Sequence, residues 1–88
     1  MVTADEFRST LRSVLDRAQR NGHSVVEVDA GKLHRMVGGY PPERGETHSM
    51  PNCCQVMKSE MHDEDIVVAA PPSGQGASLT LRYKLPRQ

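Results

Sequence analysis

Hydrophobic positions along this chain alternate between a helical and a strand-like period, and the changes of period mark out its elements. Phe7, Leu11, Val14, Leu15 and Ala18 recur at i, i+4, i+7, i+8 and i+11, the stripe of an amphipathic helix. Thr3-Ala4-Asp5-Glu6 has the form of a capping box at its start, and Asn21-Gly22 stops it. Arg8, Arg12, Arg17 and Arg20 fall off the stripe. Ser24 to Asp29 then reads as a short strand through Val25, Val26 and Val28. Asp29 can cap a brief second helix running to Val37, with Leu33, Met36 and Val37 as its apolar side.

Residues 38–48, G-G-Y-P-P-E-R-G-E-T-H, exclude regular structure through paired glycines and paired prolines. The helical period returns over 49–61, where Ser49 can cap and Pro51 is tolerated in the first turn. Met50, Cys53, Cys54, Met57 and Met61 share one face of that helix. A polar turn at Asp63 to Asp65 leads into a strand over 65–70, through Ile66, Val67 and Val68. Pro71-Pro72-Ser73-Gly74-Gln75-Gly76 forms a turn-rich tip. From Ser78 to Leu85 the period is two: Leu79, Leu81, Tyr83 and Leu85 alternate with Ser78, Thr80, Arg82 and Lys84.

The order is therefore α-β-α-α-β-β, an α+β class. A small antiparallel sheet of 24–28, 65–70 and 78–84 is expected to pack on three helices as a single domain over 1–88. With one Phe, two Tyr and no Trp, the core must be aliphatic and rich in Met. No run approaches the ~20 apolar residues of a membrane span and no apolar leader is present, so a cytoplasmic protein with no membrane partner is expected.

The polar face of 49–61 is unusual in type. Asn52, Gln55 and Ser59 stand opposite the Met/Cys face, where a solvated helix normally carries long charged side chains. Short amide and hydroxyl groups are the ones that hydrogen-bond base edges in a major groove, Asn and Gln being suited to adenine. A plain solvated face is the alternative.

Other chemistries find less support. His34, His48, Cys53, Cys54 and His62 are zinc-ligand types, but neither C-x2-4-C nor H-x3-5-H spacing is present. Cysteines on an apolar face are poor nucleophiles, because burial raises a thiol's pKa. Glu60, Asp63, Glu64 and Asp65 lack the pattern of a calcium loop. Gly74-Gln75-Gly76 is not a phosphate loop, since no helix follows it. No catalytic residue, metal or cofactor is expected. Eleven basic residues balance eleven acidic ones, which argues against a non-specific coat on DNA. The charge is segregated all the same: 71–88 holds Arg82, Lys84 and Arg87 and no acid.

One short strand before a helix pair and a hairpin after it is an order that resembles the winged helix-turn-helix superfamily of DNA-binding proteins. The resemblance implies a supporting helix at 29–37, a recognition helix at 49–61 and a wing at 71–77. It implies double-stranded DNA as partner, with Asn52, Gln55 and Ser59 reading bases. Lys58, Arg44, Arg82, Lys84 and Arg87 would then lie on phosphates, and Ser73, Gly74, Gln75 and Gly76 would form the wing tip. A regulator or accessory recognition module, and a homodimer as in many winged-helix proteins, follow as expectations. The connection at 38–48 is longer than the turn usual in that superfamily. Zero net charge favours a second expectation, a protein-binding module on the same scaffold, such as an antitoxin-like or phage-encoded inhibitor.

Overall fold

In a computed structural model the described residues are 3–37, 50–72, 74 and 76–86. Arg44, Ser73, Gln75, Arg87 and the 38–48 connection lie outside them. The elements are α1 (Ala4–Arg20), β1 (Val25–Asp29), α2 (Ala30–Val37), α3 (Met50–Ser59), β2 (Ile66–Ala69) and β3 (Thr80–Lys84).

Helix α1 begins as its sequence requires. The Thr3 hydroxyl accepts from the Glu6 amide at 3.2 Å, and the Glu6 carboxylate accepts from the Thr3 amide at 3.3 Å. It ends in a Schellman motif: the Gly22 amide donates to Gln19 O and the His23 amide to Ala18 O. Gly22 has φ +85°, a conformation that costs a residue with a Cβ about 1–2 kcal/mol. The buried stripe is Phe7, Leu11, Leu15 and Ala18.

At the start of α2 the orphan amides are met from outside the helix. Ala30 donates to Leu79 O at 2.8 Å, Gly31 to Ala77 O at 3.0 Å and Lys32 to the Asp29 carboxylate at 2.7 Å. The segment 77–79 is thereby fastened to α2. The inner side of α2 differs from the expected one. His34 is buried and Met36 is 59% exposed, because Ala30, Leu33, His34 and Val37 form the i, i+3, i+4, i+7 stripe. The His34 imidazole stands edge-on to Phe7, with ring centroids 4.9 Å apart.

The sheet has the order β1-β3-β2, and both pairings are antiparallel. Leu81 and Tyr83 of β3 and Val28 of β1 turn into the helices, while Thr80, Arg82 and Lys84 take the opposite face. The Tyr83 hydroxyl donates to Met57 O at 2.8 Å, tying the central strand to α3 inside the core. Strand β2 starts at Ile66 rather than Asp65. The Asp65 carboxylate is buried in the turn, accepting from the His62 amide at 2.6 Å and the Lys84 amide at 2.7 Å. A bulge at Val68 separates the pairings Val67↔Leu81 and Ala69↔Thr80.

Candidate nucleic-acid interface

The core takes more of α3 than the Met/Cys face alone. Met50, Cys53, Cys54, Val56 and Met57 are all buried. The exposed residues are Pro51, Asn52, Gln55, Lys58 and Ser59. At 100° per residue they occupy an arc of about 120°, with Lys58 on one border and Asn52 on the other. Lys58 is the only charged side chain in that arc. The Ser59 hydroxyl donates to Val56 O at 2.8 Å, which leaves its oxygen free to accept.

The hairpin tip is held at the Lys58 border. Lys58 Nζ donates to Gly74 O at 2.8 Å. One turn earlier Cys54 Sγ lies 3.5 Å from Gly76 O and 3.4 Å from Gly76 N. Gly74 itself has φ +81° and donates its amide to Pro71 O at 2.8 Å, closing the turn. Residues four apart on one helix therefore clasp the tip through its backbone. Neither contact shows as a motif, since both depend on backbone atoms of a loop distant in sequence. The only local hint was that Cys54 and Lys58 are one turn apart.

Arg82 and Lys84 are not brought to this place. Arg82 lies on the sheet face away from the helices, its guanidinium 2.7 and 3.0 Å from Glu27 Oε2 on the neighbouring strand. Lys84 pairs with Glu64 at 3.1 Å, about 13 Å along β3 from the residue nearest the tip. Of the expected phosphate contacts that fall within the described residues, Lys58 alone stands beside Asn52, Gln55 and Ser59. On α1, Arg12 and Glu60 are 2.7 Å apart, and this hydrogen bond and charge raise the Arg12 pKa further. Arg8 pairs with Asp5 and Glu60, and Arg20 with Asp16.

The remaining candidate chemistry is dispersed. Cys53 donates to Ala30 O at 3.6 Å and is fully buried. Burial, with the neighbouring Cys54 adding to it, pushes the Cys53 thiol up to about 12. Among the described residues, no three His, Cys, Asp or Glu side chains form a group that could hold a metal ion. A groove of about 650 Å³ lies between α1 and β1, lined in part by Val14, Ala18, Val25, Val26 and Met36. It takes no residue from α3. Among the described residues no helix is long and apolar enough to cross a membrane. The chain matches no family model, no curated protein and no solved structure.

Proposed function

We propose that this chain is a small DNA-binding domain of winged-helix type, with α3 as its reading helix and 71–77 as its wing. The observation that carries the reading is the exposed arc of α3. Asn52, Gln55 and Ser59 present amide and hydroxyl groups to solvent, and the hairpin tip is fixed along the border of that arc by Lys58. With its side chains an α-helix is about 10–12 Å across, which matches the ~12 Å width of a major groove, and ten residues give about 15 Å to lie in it. Gln55 sits at the middle of the arc and takes the central base contact. Lys58, whose ammonium keeps donors beyond the one given to Gly74 O, takes phosphate, which positions the helix without specifying sequence. Arg82 and Lys84 play a lesser part than their place in the sequence suggests, because each is already neutralised.

Selection from a random DNA pool, followed by gel-shift titration, tests this. Gln55→Ala should cost about 1–3 kcal/mol on the selected site and little elsewhere. If Asn52→Ala, Gln55→Ala and Ser59→Ala all leave the selected sequence unchanged in folded protein, α3 is not a reading helix.

A protein-binding module on the same scaffold is the second reading. It is favoured by the ion pairs Arg12–Glu60, Arg82–Glu27 and Lys84–Glu64, which neutralise three of the eleven basic side chains and so weaken the positive field that draws a protein to DNA. The same three variants then lose a protein partner while DNA selection stays absent.

A further inference from the structure

Strand β2 is exposed along its whole length. Ile66, Val67 and Val68 are 48%, 51% and 42% exposed. In the order β1-β3-β2 it is an edge strand, and on its outer side no strand among the described residues pairs with it. Edge strands are commonly guarded by lysine, proline, an inward charge, a bulge or short length. Residues 66–70, I-V-V-A-A, carry no lysine, proline or charge, so the four-residue length of β2 and its bulge at Val68 are the guards it has. The other edge, β1, carries Glu27 and Asp29.

We propose that the free edge of β2 joins a second copy of this chain, strand to strand and antiparallel, about a two-fold axis normal to the sheet. Backbone amides and carbonyls on an edge are satisfied by an extended segment. The occupant follows from two further observations. First, β2 is apolar at every position, so the same strand reversed matches it throughout. Second, its two ends differ in charge. Asp63 and Glu64 precede β2, Glu64 holding Lys84 at that end so that Asp63 is the acid left to face a partner, and Lys58, clasped to Gly74, lies beyond the far end. Antiparallel pairing sets each Asp63 beside the partner's Lys58. Parallel pairing would set acid against acid.

The product is a continuous sheet of order β1-β3-β2-β2-β3-β1. An axis normal to the sheet puts both helix layers, and with them both α3 helices, on one side of it. If the DNA-reading proposal holds, the selected site is then an inverted repeat. The dimer itself does not depend on that proposal. A four-residue edge is about 13 Å long, well short of a standard interface, so the dimer should be weak.

Sedimentation equilibrium of the whole chain without DNA, from about 1 to 500 µM, should show the mean mass rising from 9.7 kDa toward twice that value. Amide hydrogen exchange at 66–69 should slow over the same concentrations. Val67→Lys, at an exposed position, should keep the circular dichroism spectrum and remain monomeric. Asp63→Lys should weaken the dimer, and adding Lys58→Glu should restore it by exchanging the signs. A monomer at every concentration overturns the proposal. So does a dimer indifferent to Val67→Lys whose β2 amides stay unprotected. Because no DNA is present, a failure here is distinct from a failure of base reading.

Discussion

Replacing Asp65 with Ala removes the acceptors of two backbone amides, His62 and Lys84, at a point where the side chain is buried. Leaving such donors unmet costs about 1–3 kcal/mol, so Asp65→Ala should lower the urea midpoint accordingly. Asp65→Asn keeps one carbonyl oxygen and should lose less. The sequence placed Asp65 at the start of a strand and among acids that looked solvated, because its second partner lies on β3, 19 residues away. His34 was missed as a core residue for a different reason. It completes the inner stripe of α2, but imidazole counts as polar, and Met36 took its place in the expected core. Cys53 was legible as a buried thiol from its spacing to Met57. A further consequence concerns pH. The folded thiol keeps its proton to about 12, whereas the free thiol ionises near 9. Below the lower value the group affects neither state differently. Above it the unfolded chain loses a proton that the folded chain retains, so this contribution to stability falls as pH rises between the two values, by up to ~1.4 kcal/mol per pH unit. Urea midpoints at pH 8 and 10 should therefore differ less in Cys53→Ala than in the parent.

All six elements were legible from periodicity, including the hairpin and the short strand between the first two helices. Their ends shifted by a residue or two where a cap or a turn decided them. Burial was less legible than existence. The run Ile66-Val67-Val68 has the composition of an interior strand, yet it is solvent-exposed because α1 and α2 pack against β1, at the opposite edge of the sheet. On α3 the exposed residues Asn52, Gln55 and Ser59 emerged from spacing alone, but the clasp on the tip did not. That clasp gives a prediction for the element pair. Lys58→Ala should change global stability by less than about 1 kcal/mol, since the group is exposed. Nitrogen-15 relaxation at Gly74 and Gly76 should nevertheless show faster motion of the tip.

At the scale of the molecule, balanced charge has a structural form: the acids sit on the bases. Glu60, Glu27 and Glu64 hold Arg12, Arg82 and Lys84. If the DNA-reading proposal holds, the winged-helix resemblance, with Lys58, Arg82, Lys84, Arg87 and Arg44 as phosphate contacts, implies about three to five neutralised phosphates and a log–log salt slope of about −3 to −4.5. With two of those side chains paired on the far face of the sheet, about one to three phosphates and a slope of about −1 to −3 are expected. Affinity measured between 50 and 300 mM salt checks this. Glu27→Gln, which frees Arg82, should leave the slope unchanged if the outer sheet face stays off the DNA.

The order of the strands also constrains how the chain comes to be made. Its central strand, β3, is the last of the three to leave the ribosome, and the pairing of Glu27 with Arg82 spans 55 residues. Until Thr80–Lys84 has emerged, β1 and β2 have no sheet to join, and the two must wait as unpaired segments on the nascent chain. During that interval Ile66–Ala69 is an apolar, uncharged stretch with strand propensity, the kind of segment most prone to wrong pairing. Synthesis halted before residue 80 should therefore give insoluble fragments. The full chain made at the same rate should stay in solution, because β3 then covers one side of β2.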